Sequence, residues 1–378
     1  MLKKASEQDR AAFRLMALCS RLACDAALYE RIASQAAALD PQAWGLLPHR
    51  AETHGIAPLL FTHLKAASAP APIEVERALR GLALRHRLAN RARMAVLRSI
   101  LERLEAAGIS VCVLKGAALA HLIYPTPGLR PMRDVDLLVR PSEARRAQRL
   151  LREMGFVAPP AESAELPDKH MAAASLDLDE TGFVLSVEVH HNLFLATYPL
   201  SMTLDDLTGP PQAFDIDGQP AYALDHADML WHLCQHTRLS SGVFGANRLI
   251  WVADIVGYAE HFASEIDWTQ LAARYPIVIN TLSLLHFLTP LSEKLLASAP
   301  IPLGAPPRGI GLEFEGWPRT SLAAQREKGA WRILRDTFAP PAWWLRLYYG
   351  LGSAAPLVVT RWLRHPWHIL GWVAHLIR

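Results

Sequence analysis

Arg133-Asp134-Val135-Asp136-Leu137-Leu138-Val139 sets two carboxylates two residues apart inside an otherwise apolar run. The run reads as a buried strand. Side chains alternate across a strand, so Asp134 and Asp136 point to one face. Two carboxylates at adjacent positions on one face repel each other, and a cation between them removes the repulsion. An oxygen-rich site with open positions suits Mg²⁺ or Mn²⁺, which keeps waters and completes its shell with substrate phosphates. A second reading is a polar strand end at a sheet margin, with an aspartate paired to a nearby arginine. The pair alone is compatible with both.

The neighbouring residues add phosphate chemistry. Val111-Cys112-Val113-Leu114-Lys115-Gly116-Ala117-Ala118 reads as a short apolar strand, a glycine turn and the start of a helix. Such a junction offers free backbone N–H groups at a helix N-terminus, where phosphate binds, and Lys115 adds positive charge. Arg130 and Arg133 lie in or beside the Pro- and Gly-punctuated loop from Tyr124 to Met132, suited to bidentate grip on a polyphosphate. Downstream, Phe183 to His190 alternates again: Phe183, Leu185, Val187 and Val189 share one face, and Val184, Ser186, Glu188 and His190 the other. Glu188 is either a solvated strand residue or a third carboxylate for the aspartate pair. His190 is either a contact to sugar or acceptor or a core histidine.

These strands need a scaffold. Residues 5 to 108 are rich in Ala, Leu and Arg, with breaks at Asp40-Pro41, Gly55 and Ala69-Pro70, and read as helical; Glu74 to Ala107 fits one long helix. Residues 110 to 192 alternate strand and helix, with Ser142 as the expected cap of a helix running to Met154 and ending at Gly155. Pro159 to Asp168 is a candidate substrate-facing loop, and Pro199 to Pro220 reads as a second irregular stretch. A helical region then begins, with Asp225 as its N-cap. His232 and His236 sit four apart there. That spacing can bind zinc, but Leu233 stands where the metalloprotease motif needs Glu, so packing histidines are the favoured reading.

Composition bounds the rest. The 378 residues are 51% hydrophobic and 20% charged, long enough for more than one domain, and the net charge of +3 does not by itself point to nucleic acid. The four cysteines, Cys19, Cys24, Cys112 and Cys234, lack metal or redox spacing and imply a reducing, cytoplasmic setting. Met1 to Arg14 shows no apolar leader segment. The tail from Pro340 holds Trp343, Trp344, Trp362, Trp367 and Trp372, several arginines and no acidic residue. It fits either an interfacial anchor at the inner membrane face, over 340–378, or a helical pair packed on the core.

The order Lys-Gly, Arg-x-Asp-x-Asp type, then strand Glu resembles the nucleotidyltransferase superfamily. Closer still, Leu114-Lys115-Gly116, Tyr124-Pro125, Arg130 to Val139, Gly155-Phe156 and Glu188-Val189-His190 resemble a bacterial family of uncharacterised nucleotidyltransferases, over about residues 110 to 260. The turn departs from the common Gly-Ser or Gly-Gly form, since Lys115-Gly116-Ala117 has no hydroxyl. The resemblance implies an α+β nucleotidyltransferase-fold core, a small mixed sheet with helices, flanked by N- and C-terminal helical domains. The expected division is 1–108 helical, 109–198 core, 199–335 helical and 336–378 tail. It implies Mg²⁺ (or Mn²⁺) held by Asp134, Asp136 and Glu188, with Lys115, Gly116, Arg130, Arg133 and His190 toward ATP or another NTP. It further implies that Arg248 and Asp254 either close the nucleotide pocket or form structural ion pairs. The implied reaction moves an NMP to a small-molecule, peptide or saccharide acceptor with release of pyrophosphate. A toxin-like enzyme acting on tRNA and a non-catalytic nucleotide-binding module are the alternatives.

Overall fold

The structure, a computed structural model, describes residues 7–158, 168–178, 182–195, 200–207, 209–240, 247–307 and 329–376. The expected substrate-facing loop from Pro159 lies outside the described residues up to Asp168. The N-terminal stretch forms helices α1 (Glu7–Leu18), α2 (Ala26–Ala37), α3 (Pro41–His54), α4 (Ala57–Ala66) and the long α5 (Ile73–Ala106). The breaks have the expected causes: Asp40 caps α3 by accepting from the Ala43 N–H at 2.8 Å, with Pro41 in the first turn.

The α/β part follows as β1 (Val111–Val113), α6 (Lys115–Leu122), β2 (Asp134–Val139), α7 (Ala144–Glu153), β3 (Ala174–Asp177) and β4 (Val184–His190). Ser142 does not cap α7; it sits inside a 3₁₀ turn, Pro141–Glu143, that leads into the helix. The four strands form one sheet in the order β1-β2-β4-β3, mixed as expected. β1 runs antiparallel to β2, β2 parallel to β4, and β3 antiparallel to β4. A parallel pair needs a crossover, and the chain between β2 and β4 supplies α7 and β3. Val135 lies opposite Val187 and Leu137 opposite Val189, all buried, so one face of the central pair is core. The other face carries Asp134, Asp136, Ser186, Glu188 and His190.

Part of the expected irregular stretch at Pro199 to Pro220 is a hairpin: β5 (Gln212–Ile216) pairs antiparallel with β6 (Gln219–Ala223). Asp217 and Gly218 form its two-residue turn with φ of 49° and 88°, the left-handed pair that a type I′ hairpin requires. Helices α8 (His226–Ser240), α9 (Leu249–His261), α10 (Trp268–Arg274), α11 (Pro276–Leu285) and α12 (Glu293–Ser298) follow. Asp225 accepts from the Asp228 N–H at 2.8 Å and so starts α8 as expected. The C-terminal segments are α13 (Ala330–Phe338), α14 (Ala342–Tyr349), a π-helical turn Thr360–Arg364, and α15 (His365–Leu376).

The chain forms two compact units, Arg77–His232 and a second built from Met1–Glu76 with Leu233–Arg378. The first holds both sheets. In the second, the Arg21 guanidinium donates to both Glu260 oxygens at 3.0 Å, and Glu260 also accepts from the Ser292 N–H at 2.7 Å. Such a half-buried bidentate pair fixes the entry to α2 against α9. Arg248 and Asp254 both belong to this second unit. Arg248 precedes α9 and donates to the Thr53 carbonyl at 3.3 Å, while Asp254 is buried within α9.

Candidate active site

The site begins with strand register. β2 and β4 pair so that Asp136 lies opposite Glu188, Leu138 opposite His190, and Asp134 opposite Ser186. Two acids directly across a parallel pair are forced to share one face. His190, two residues on from Glu188, returns to that face. Its Nε2 lies 2.9 Å from Asp136 Oδ1 and 3.2 Å from Glu188 Oε2. Donor atoms of Asp136, Glu188 and His190 all fall within 4.8 Å of one another, and among the described residues they form the one such group. His190 is fully buried and its Nδ1 has no hydrogen-bond partner. The Nε2–H tautomer therefore lets the ring donate to the acids.

Asp134 takes a different place. It is the first residue of β2, is exposed, and lies outside that three-residue group. Asp136 is buried. The structure thus brings two of the three expected carboxylates together, adds His190 to them, and leaves Asp134 exposed outside the group.

Lys115 supplies the compensating charge, with Nζ 3.1 Å from Asp136 Oδ1. Its backbone is left-handed, φ 46°, so the strained residue of the turn is the lysine and not Gly116. Gly116 is needed for another reason. A Cβ there would come within 2.9 Å of Arg130 Nη1 and 3.2 Å of its Cζ. Arg130 is buried with its guanidinium laid on this glycine and also donating to the Pro131 carbonyl. Arg133 is exposed beside Asp134. The start of α6 has no side-chain cap.

Four residues near the site gave no signal in the sequence. Asn90 of α5 donates to the carbonyls of Pro127 and Arg130, both at 2.8 Å. Arg93 donates to the Met132 carbonyl at 2.8 Å and to that of Val184 at 3.2 Å. One helix thereby ties the arginine loop to the starts of β2 and β4. In the sequence these two residues look like any others on a charged helix. His170 places Nε2 3.8 Å from Glu188 Oε2 and its ring 4.9 Å from His190, through an isolated bridge between the two histidines. Lys169 beside it is half-buried. Both follow a loop with no periodic pattern to read.

The charges interlock. Burial pushes the Asp136 carboxyl upward, but Lys115 and the His190 hydrogen bond overcome it and hold the group well below the usual carboxylate range. The His190 hydrogen bond lowers Glu188 against the opposing effects of burial and Asp136. Asp134 moves the other way: partial desolvation, then the charge of Asp136, raise it, with Lys115 opposing. Desolvation, then repulsion from Lys115, lowers Lys169. Asp136 and Glu188 are thus ionised at neutral pH, and Asp134 takes up a proton more readily than a free aspartate.

His232 and His236 are not part of this chemistry. His232 packs on Phe194 at 5.4 Å and His236 on Trp251 at 4.9 Å, as packing histidines would. All four cysteines are free.

Comparison with curated protein sequences finds no match. Among solved structures, the solution structure of the antibiotic-resistance factor ANT(2″)-Ia is similar at 14% identity, covering 52% of this chain and 98% of that one, with a TM-score of 0.35. An antigenic nucleotidyltransferase-like protein from Paracoccidioides brasiliensis is similar at 16% identity, 54% and 96% coverage, and a TM-score of 0.34. ANT(2″)-Ia in complex with adenylyl-2″-tobramycin is similar at 17% identity, 52% and 93% coverage, and a TM-score of 0.25. The family model described as Uncharacterised nucleotidyltransferase matches residues 40–296, well beyond the motif-bearing stretch, and the chain belongs to that family.

Proposed function

We propose that this chain transfers a nucleoside monophosphate from an NTP to an acceptor hydroxyl, amine or phosphate on a small molecule, peptide or saccharide. The acceptor atom attacks the α-phosphorus, the bond to the β-phosphate oxygen breaks, and pyrophosphate leaves. The donor set fits a hard divalent cation, because two ionised carboxylates and one imidazole converge on one face. Mg²⁺ or Mn²⁺ held by Asp136 and Glu188, with His190 joining through Nε2 in its Nδ1–H tautomer, would neutralise the phosphates and lower the acceptor's pKa.

The chain's own groups carry the rest. Lys115 spends one N–H on Asp136 and has two left for phosphate oxygens. Arg130, laid on Gly116, and the uncapped start of α6 add donors at the turn, and Arg133, exposed beside Asp134, adds a further positive charge. Glu188, kept ionised by His190, is placed to accept the acceptor's proton. Its proximity to His170 gives that proton a second basic group nearby. Arg93 and Asn90 act at one remove, by holding the loop that bears Arg130 and Arg133.

The observation that carries this reading is the cross-strand pair Asp136–Glu188 bridged by His190 with Lys115 alongside, in a chain of a nucleotidyltransferase family. The test is incubation with each NTP, labelled at the α-phosphate and in parallel at the γ-phosphate, with Mg²⁺ or Mn²⁺ and a panel of sugars, peptides, small amines and tRNA. Label on a sugar, peptide or small molecule with equimolar pyrophosphate supports the reading. Label on tRNA would replace the acceptor class, and transfer of γ-label instead would overturn the reaction type.

A further inference from the structure

The C-terminal segment folds inside out. α14 behaves as a core helix: Trp343, Trp344, Leu345 and Leu347 are buried, and Trp344 stacks on Tyr348 at 4.7 Å. The next helical segment reverses the pattern. Its buried side is partly polar: Thr360 and His365 are buried, and His365 Nε2 meets the Thr337 carbonyl at 2.7 Å and its Nδ1 the Tyr349 hydroxyl at 3.0 Å. His368 Nε2 lies 3.1 Å from the Tyr348 hydroxyl, and Arg361 donates to the Pro340 carbonyl at 3.0 Å. Apart from the buried Ile369, its large apolar side chains among the described residues turn outward. Val359, Leu363, Trp367 and Leu370 follow at helical steps and are exposed, with Val358 and Trp362 beside them. Trp362 is 65% exposed and Trp367 79%. On α13, which packs against α15, Trp331 is 82% exposed.

A helix in water normally buries its apolar stripe and shows its polar one. Six large apolar side chains exposed along one segment, with His365 hydrogen-bonded beneath them, call for an apolar cover. The charge around the patch says which kind. After Asp336 the sequence has four arginines and no acidic residue. Arg364 is exposed, its guanidinium 4.7 Å over the Tyr349 ring, at the edge of the apolar face. Tryptophan with flanking arginine is the composition that settles at the headgroup level of a bilayer. No described helix is long and apolar enough to cross one.

We infer that the face formed by Val358, Val359, Trp362, Leu363, Trp367 and Leu370 docks on the surface of an anionic lipid bilayer, lying in the interface while the rest of the chain stays in water. This stands apart from the nucleotidyl-transfer reading, since no residue of the candidate active site takes part.

The test uses the full chain and vesicles of phosphatidylcholine with and without phosphatidylglycerol. The wild type should co-sediment with the anionic vesicles and hold much less to the neutral ones. Its tryptophan emission should shift to the blue and be quenched by brominated lipid. Trp362→Glu/Trp367→Glu alters only exposed side chains and should keep the far-UV spectrum and melting temperature. It should weaken vesicle binding by about tenfold or more, and Arg364→Gln should weaken it by about fivefold. Failure of the folded wild type to bind anionic vesicles at any lipid concentration would overturn the proposal. So would equal binding by the folded double variant. A dimer of the wild type that the same double variant splits, with no vesicle binding, would identify a second copy as the cover and also overturn it.

Discussion

Replacing Lys115 by Met probes the electrostatic design of the site. The change keeps the length of the side chain and removes its amine. Asp136 is then a buried carboxylate that has lost its close ammonium partner and keeps the hydrogen bond from His190 Nε2–H. Breaking a fully buried ion pair costs about 3–5 kcal/mol. The side chains here are 16% and 7% exposed, so some water remains, and a loss of about 2–4 kcal/mol is the scale to expect at pH 7. Lys115→Gly loses the same pair but relieves the left-handed backbone, and should be milder than the Met variant by up to about 1 kcal/mol. Asp136→Asn in the Lys115→Met background removes the stranded charge, so a double-mutant cycle should return a coupling of about 2 kcal/mol or more. Hydrogen exchange of the β2 and β4 amides reads the unit that contains the site. The pH dependence has a defined sign. In the wild type, the depressed Asp136 contributes stability above its unfolded value, lost as pH falls through its lower folded value. In Lys115→Met burial is no longer opposed by the amine, so Asp136 protonates at higher pH and the gap from wild type should narrow as pH falls through that range. A Met variant with unchanged β2 and β4 protection and zero coupling would refute the reasoning and leave Lys115 as a surface charge.

Other outcomes follow from named contacts. Arg93→Ala should cost about 2–3 kcal/mol, since a cation serving two backbone carbonyls, that of Met132 buried, is lost, and should weaken NTP binding by freeing the Arg130 loop; exchange and calorimetry would check both. Gly116→Val should displace the Arg130 guanidinium and reduce NTP affinity by about tenfold with β2 protection intact, whereas unchanged affinity would remove Arg130 from phosphate binding. Burial holds His63 below its ordinary value, with its Nε2 2.8 Å from the Arg21 carbonyl. The unfolded chain therefore binds more protons just below pH ~6.5, so His63 stabilises fully above that value and less as pH falls through the lowered one. His63→Gln should flatten the decline in urea midpoint between neutral pH and mild acid.

Much of the core was legible because its cause is local. Alternation at Asp134–Val139 and Val184–His190 gave both strands, the shared face of Asp134 and Asp136, and the shared face of Glu188 and His190. A continuous helical repeat gave α5 almost to its ends, Ile73 to Ala106. The register of β2 on β4 was not legible, because pairing of strands separated by a helix and a third strand is a tertiary matter. Without the register, Asp134 and Asp136 are equivalent; with it, one is opposite Glu188 and the other opposite Ser186. The hairpin at 212–223 was readable from Asp217-Gly218 between alternating residues, and Pro220 and two glutamines obscured it. Arg93 and Asn90 were hidden for another reason: their partners are backbone carbonyls, which leave no mark in a sequence. The tail divided between its two readings, with Trp343 and Trp344 packed and Trp362 and Trp367 exposed.

The central claim is that Asp136, Glu188 and His190 form a cation site that works with Lys115 on a nucleotide triphosphate. Titration of Mn²⁺, alone and with a non-hydrolysable NTP analogue, followed by electron paramagnetic resonance and calorimetry, tests it without knowledge of the acceptor. The wild type should bind Mn²⁺ more tightly when the analogue is present. Asp136→Asn should lose that binding by about tenfold or more while β4 exchange protection persists, since it keeps volume and removes a charge. Equal Mn²⁺ and analogue binding by the folded Asp136→Asn variant would contradict the account.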